Sequence, residues 1–460
     1  MSDGKNSEVC QWAVIGGGML GLAAANELRK RNQNVTVLEA APTLGGLASA
    51  WSIGDATWDK YYHVILLSDS VMRGLLTELN LDDDICWKQT QTGFYAGGKL
   101  YSLSTSIDFL KFPILNLYQK FRLGSTIFYN SKIRNWKSLE SLSVEKWLRK
   151  CSGNSTFEKI WRPLLRAKLG DAYQRTSAAF IWAYIDRMYK ARRTGMKREM
   201  FGYVPGGYAQ ILKSLEDHLR SRDVDIVTNA AVDCIERKQD GSKWRIRYGD
   251  GEETIVDRVL VTSPPTIAAK ICAGLTSQET AQLQNVEYLG VICTSLLLTK
   301  PLGGYYVTNL LDDWIPFTGI IEMGSILPPK DLGGHYLVYL PQYMHSSDVR
   351  FAESDDTIHE RAISTLEKMY PNFERSDVTS IQTARAKNVM AIPTLNYSQN
   401  LPPLLTSQPG LYLLNSARIV KGTLNVNETL ELMHDELDRI VWPNHQTLPT
   451  KHQLSAANSS

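Results

Sequence analysis

A glycine triplet and one acidic residue carry the clearest chemistry in this sequence. Gly16, Gly18 and Gly21 stand in G-x-G-x-x-G spacing, and Glu39 closes a second apolar run downstream. Residues 12–15 read as a short apolar strand ahead of the turn. Met19 and Leu20 open a helical pattern that continues through Leu22 and Leu28, and Val35, Val37 and Leu38 read as the next strand. In that order each residue type has a physical use. Gly16 permits a tight turn, Gly18 lets a pyrophosphate approach the backbone, and Gly21 lets helix and strand pack closely. The helix N-terminus then meets phosphate charge with free N–H groups and a positive dipole end. Glu39 can accept hydrogen bonds from both hydroxyls of an adenosine ribose. Its charge opposes a 2′-phosphate, which leaves FAD or NAD as the expected ligand. The positions expected to touch it are Gly16, Gly18, Met19, Leu20, Gly21, Glu39 and Ala40.

Two further segments choose between the ligands. Gly45, Gly46 and Leu47 supply a second glycine pair just past the ribose acid. Residues 410–415 read as a strand running to Asn415, and residues 421–429 (KGTLNVNET) then open a helix. With these motifs in this order, the chain resembles the flavin amine oxidase superfamily: monoamine oxidases, protoporphyrinogen oxidases, phytoene-type desaturases and, more distantly, UDP-galactopyranose mutases. The resemblance implies FAD as cofactor, its ADP half on the early glycine turn. It implies that the late segment closes over the ribityl chain and the isoalloxazine ring, its helix aimed at the N1–C2=O edge. Gly45, Gly46, Leu47, Asn415, Gly422, Thr423, Asn425 and Val426 become expected FAD contacts, with Val232 at the adenine end. No cysteine lies near the late segment, so the flavin is expected to be held noncovalently.

For the reaction centre the candidates are His63 and Lys168. His63 ends Trp58-Asp59-Lys60-Tyr61-Tyr62-His63, where the resembled families bring a loop to the flavin; a histidine titrates near neutrality and suits proton exchange there. The alternative is that Tyr61, Tyr62 and His63 pack at a domain junction. Residues 158–171 resemble the protoporphyrinogen-oxidase pattern of a proline-led stretch ending in Gly-Asp. If residues 161–169 are helical, Lys168 shares a face with Trp161, Leu164 and Leu165. It would then be partly desolvated or meet an anionic group, unless it snorkels to solvent. Tyr61-Tyr62 or Tyr305-Tyr306 would be the aromatic neighbours of a substrate. Residues 108–137 interleave aromatic and aliphatic side chains with Lys111, Lys120, Arg122, Lys132, Arg134 and Lys137 against Asp108 alone. Such a segment is either a helix with a solvated basic face or a peripheral membrane contact.

The elements needed to position these residues fit an α/β fold. A discontinuous Rossmann-like FAD-binding domain is expected from 9–65, 201–265 and 406–442. A mixed α+β substrate-binding domain is expected from 66–200, with a long helical stretch over about 70–200, and from 266–405, with strands at 294–298 and 336–340. A hairpin turns at Gly249-Asp250-Gly251, and 443–460 reads as a disordered tail. A chain of 460 residues calls for more than one lobe, and its formal net charge of +2 gives no electrostatic case for nucleic acid. No run approaches the length of a membrane span, and the polar N-terminus lacks the apolar core of a secretory signal. The six cysteines lack metal spacing and read as reduced, buried thiols, so the location expected is cytoplasmic, with membrane association left open. No second G-x-G-x-x-G unit is present. Electrons are therefore expected to enter from a small organic substrate, not NADH, and to leave to oxygen, a quinone or a protein carrier. The expected activity is two-electron oxidation by hydride transfer to flavin N5. A redox-neutral mutase is one alternative, and a non-catalytic binding protein on the same fold, like the Rab escort relatives, is another.

Overall fold

Five strands, Gln11–Ile15, Asn34–Leu38, Asp225–Val227, Arg258–Val261 and Leu411–Leu413, pair in parallel to form the central sheet. The computed structural model describes residues 9–192, 200–420 and 423–441. In the sheet the order is 225–227, 34–38, 11–15, 258–261, 411–413. Chain order therefore reverses between 11–15 and 258–261, and ligands of open α/β sheets bind beyond the carboxyl ends of strands at such a point. The register aligns those ends: Ile15 lies beside both Leu38 and Val261, and Val261 beside Leu413.

Strand alternation sends side chains to two different cores. Trp12, Val14, Val37 and Leu260 pack with helices Met19–Lys30, Gly207–Arg220 and Val426–Val441. Ala13, Ile15, Val259 and Val261 pack with Ile235, Trp244 and Ile246 of a three-stranded antiparallel sheet, Val232–Arg237, Trp244–Tyr248 and Glu252–Val256. Each fully buried Val, Leu or Ile contributes about 1.5–3 kcal/mol, so a sheet covered on both faces has little freedom to move.

A second sheet has seven strands, in the order Val378–Ala391, Tyr288–Leu298, Tyr336–His345, Gly319–Glu322, Val307–Leu310, Thr92–Ala96 and Lys99–Ser102. Two of these correct the expectation of a helical stretch over 70–200. Residues 92–102 form a hairpin turned by Gly97 and Gly98, both at positive φ. Tyr288–Leu298 is longer than expected because every residue in it is buried. With both faces covered, no polar alternation marks its ends. One face of this sheet carries helix Asp355–Met369, through Leu366 and Met369. A helical layer that includes Leu117–Asn130, Val144–Ser152, Arg162–Leu169 and Ala178–Arg192 shares a core with Leu289 and Ile392. Between the two sheets, Ile53, Trp58 and Tyr203 pack against Val291, Cys293 and Tyr339. Fold class agrees with the α/β expectation. Of the cysteines only Cys272 and Cys293 are buried, the other four being half-buried. The expected tail and Gly422 lie outside the described residues.

Candidate functional site

The glycine turn sits at the carboxyl edge of the central sheet. Gly16 has φ +112°, a conformation that favours glycine. At Gly21 a Cβ would lie 1.9 Å from the Gly16 carbonyl oxygen, so no side chain fits there. Gly18 differs from both. Its φ of −74° is ordinary, and a Cβ would meet nothing closer than the Gly45 carbonyl at 3.9 Å. The protein itself does not demand glycine at 18, and the open space above it suits a ligand that approaches the backbone. Gly18 is also the N-cap of helix Met19–Lys30 and supplies no side-chain acceptor. The first-turn N–H groups of Met19, Leu20 and Gly21 are thus available to an anion.

Glu39 flanks the turn. Its Oε2 accepts from the Gly17 N–H at 2.5 Å and its Oε1 from the Ala41 N–H at 2.8 Å. A carboxylate has about four lone-pair sites, so two remain for ribose hydroxyls. The Glu39 N–H donates to the Val227 carbonyl, and the Ala230 N–H donates to the Glu39 carbonyl. These bonds bring the strand that begins at Val232 to the same edge. Ala40, beside Glu39, is exposed. The second glycine pair folds onto the first: the Gly45 N–H donates to the Gly17 carbonyl at 2.8 Å, and a Cβ on Gly46 would be 3.5 Å from the Gly18 Cα.

Asn415 follows the edge strand 411–413 and is buried. Its Oδ1 accepts from the Ala417 N–H, while its Nδ2 has no partner among the described residues. An unpaired buried donor costs about 1–3 kcal/mol, which a ligand acceptor would recover. Asn425 has a different function from its neighbours. Its Oδ1 accepts from the Glu428 N–H and its Nδ2 donates to the Thr423 carbonyl, so it caps the helix that starts at Val426.

Leu47, Tyr61, Tyr62, Tyr343, Met390 and Leu424 lie half-buried against one hydrophobic cluster. The residues after the second glycine pair and those of the late segment thus converge on the same place as the tyrosine loop. The Tyr62 and Tyr343 hydroxyls are 3.1 Å apart, and burial pushes the Tyr62 hydroxyl well above its ordinary pKa. Lys168 reaches this cluster, its Nζ 3.1 Å from the Tyr343 ring centroid. It is half-buried and has no carboxylate partner among the described residues. His63 lines a small cavity with Trp58, Asp59, Tyr203, Gly207 and Tyr208, and Trp58 and Tyr203 belong to the same hydrophobic cluster. Its Nδ1 is 3.7 Å from Asp59 Oδ2, and its ring centroid is 4.9 Å from that of Tyr208. Burial raises the Asp59 carboxyl above its usual range, partly offset by His63 and by the Tyr208 N–H, which donates to Oδ1 at 2.9 Å.

Sequence reading missed several residues of this region. Thr262 donates to the Ile15 carbonyl and supports the glycine turn from below, and next to it the buried Ser263 Oγ has no partner among the described residues. The signal was there: Thr262 and Ser263 follow a buried strand directly. Asp59 stood in the His63 motif, four residues from it, without being given a role, whereas Tyr343 and Met390 had no signal, because their neighbours are remote in sequence.

The model of the flavin-containing amine oxidoreductase family matches residues 20–424 of the chain. Coproporphyrinogen III oxidase of Staphylococcus aureus is 25% identical over 284 residues, covering 55% of this chain and 60% of that protein. The 15-cis-phytoene desaturase of Narcissus pseudonarcissus is 21% identical over 390 residues, covering 79% of this chain and 66% of that protein. The chain thus spans no more than about two-thirds of these relatives. A putative protoporphyrinogen oxidase from Exiguobacterium shares the fold at a TM-score of 0.74 and 17% identity, covering 95% of this chain and all of that one. Reduced UDP-galactopyranose mutase does so at 0.69 and 16%, covering 94% of each chain. The resemblance read from the glycine turn and the late segment is borne out, and the open cradle at Gly18 beside Glu39 fits the expected cofactor: the chain belongs to the family of flavin-containing amine oxidoreductases, with FAD as its cofactor.

Proposed function

We propose that the protein catalyses two-electron oxidation of a small organic substrate in a water-poor cleft between its two sheets. Bound FAD supplies the hydride acceptor, at N5 of its ring. The chain supplies the rest. Gly16, Gly18 and Gly21, with the first turn of the helix at Met19, hold the pyrophosphate, and Glu39 holds the adenosine ribose with Ala40 and Val232 nearby. Gly45, Gly46, Asn415, Gly422, Thr423 and Val426 hold the ribityl and ring end, noncovalently, and Asn425 caps the helix that begins there. Leu47, Tyr61, Tyr62, Tyr343 and Met390 exclude water, because their half-buried rings and chains pack against one buried hydrophobic cluster. His63, steadied by Asp59, takes up the proton that the substrate releases as hydride leaves. Lys168 offers a cation without a carboxylate partner among the described residues, so a substrate carrying an anionic group suits it better than a protonated amine. Electrons then pass to oxygen, a quinone or a protein carrier.

The observation that supports this reading most is the open space at Gly18, flanked by a ribose-binding carboxylate and an uncapped helix N-terminus. Purified protein should be yellow and release FAD on denaturation. Under anaerobic conditions its flavin should bleach with substrate alone. A flavin that becomes active only after chemical reduction, with no net redox change, would replace oxidation by mutase chemistry. A colourless protein that FAD does not reconstitute would remove the proposal.

A further inference from the structure

Helix Leu117–Asn130 is apolar on the side where a surface helix is normally polar. Leu117, Tyr118, Phe121 and Phe128 are 73%, 68%, 72% and 58% exposed. Leu117, Phe121 and Phe128 stand at i, i+4 and i+11, hence on one face, with Tyr118 and Tyr129 beside them. The opposite face is properly packed. Leu123 enters the core with Phe112, Leu148 and Trp161, and Asn130 is buried and accepts from Trp147 Nε1. A capping box between Asn116 and Gln119 fixes the helix start. The outward apolar ridge is therefore held rigidly in place. The preceding helix, Ser106–Lys111, adds Ile107 and Leu110, both exposed.

Charge surrounds this ridge with one sign. Lys111 lies at one end and Lys132, Arg134 and Lys137 at the other, all exposed and without a carboxylate partner among the described residues. The nearby acid, Asp108, is occupied in capping Thr105 and accepting from Ser102. Lys132 Nζ lies 5.2 Å from the Phe128 ring centroid, so cation and aromatic ring share one edge. Among the described residues no helix is long and apolar enough to cross a membrane.

We propose that helix 117–130 lies in the plane of an anionic lipid bilayer, with Leu117, Tyr118, Phe121 and Phe128 inserted at the acyl boundary and the flanking cations at the headgroups. Apolar insertion together with electrostatic attraction is how in-plane helices bind. A second copy of the chain is the weaker occupant. A two-fold interface would set the same positive rim against itself, and like charges at close range repel. The core beneath the helix also contacts Tyr343 and Met390, so the bilayer side and the cleft share one helical layer.

Sedimentation with vesicles tests this on the full chain, with bound flavin and melting temperature measured in parallel. The wild type should bind vesicles of equal parts phosphatidylcholine and phosphatidylserine, less to phosphatidylcholine alone, and more weakly as salt is added. Phe121→Asp with Phe128→Asp should lower vesicle affinity at least about tenfold with flavin content unchanged, because neither ring is part of the core. Lys132→Glu with Arg134→Glu should lower affinity for the mixed vesicles by about tenfold or more, and leave the weak binding to neutral ones alone. Wild type that stays in the supernatant with both vesicles overturns the proposal. So does a wild-type dimer, seen by light scattering, that the double aspartate variant dissociates while vesicle binding is absent. Flavin retained in either case leaves the oxidoreductase reading untouched.

Discussion

Glu39 shows how one side chain can serve both fold and ligand. Its carboxylate already holds the Gly17 and Ala41 N–H groups, so Glu39→Ala removes an anchor of the turn along with the ribose acceptor. Charge-assisted hydrogen bonds contribute about 1.5–3 kcal/mol, and FAD affinity should fall by roughly ten- to a hundredfold. Equilibrium titration of the apoprotein measures this, and unchanged affinity in a folded variant would put the ribose elsewhere. His63→Ala should keep FAD bound and slow substrate-driven bleaching by about 10²–10⁴-fold; a packing role predicts lower thermal stability with near-normal bleaching in stopped flow. Asp59 beneath it gives a pH signature. Burial raises its pKa in the folded chain, so its contribution to stability is present below the unfolded pKa and lost as pH rises through the folded one. Asp59→Asn keeps an acceptor for the Tyr208 N–H and has no charge to bury. Its melting temperature should therefore gain on wild type from acid to neutral pH, and a gap that ignores pH would refute the argument.

The strand–turn–helix unit is where sequence and structure agree best, because all of its determinants are local. Gly16, Gly18, Gly21 and Glu39 fall within one short stretch, and their spacing specifies the backbone path and narrows the ligand to FAD or NAD. Spacing already assigns Gly21 to packing and Gly18 to the approach of a ligand, and the room for a Cβ at each position agrees with that division. Gly21→Ala should cost the fold on the order of 1–3 kcal/mol or more, since its Cβ meets the Gly16 carbonyl. Gly18→Ala should leave the melting curve of the apoprotein nearly unchanged and cut FAD binding at least about tenfold, by filling the approach of the pyrophosphate. Equal loss of stability in the two variants would mean that the space at Gly18 is not a cofactor cradle. The seven-stranded sheet was less legible. Tyr288–Leu298 is buried at every position, so only its end, 294–298, was legible as a strand, and strand Cys86–Gln89 and the hairpin over 92–102 are hidden within a stretch that reads as helical. Lys168 over Tyr343 could not be read at all, since only folding brings helix 162–169 to strand 336–345.

At the level of the whole molecule, cofactor and fold should be thermodynamically linked. The expected FAD contacts come from residues 16–47, from Val232 and from 415–426, so they form together only in the folded chain. FAD at about a hundred times its Kd should stabilise the protein by about 2.7 kcal/mol, read as a rise in melting temperature of several degrees. Glu39→Ala should show a smaller rise at the same FAD concentration. An equal rise would separate ribose binding from stability.

The edge strand Leu411–Leu413 has a consequence for the life history of the protein. It pairs with Arg258–Val261, which pairs with Gln11–Ile15, so neighbours in the central sheet are far apart along the chain. During synthesis the glycine turn and Glu39 leave the ribosome well before Asn415 does. Pairings of such long range are slow to form and expose unpaired strand edges while they wait. Translation can thus deliver half a cofactor site long before the other half, and FAD capture waits for the later one.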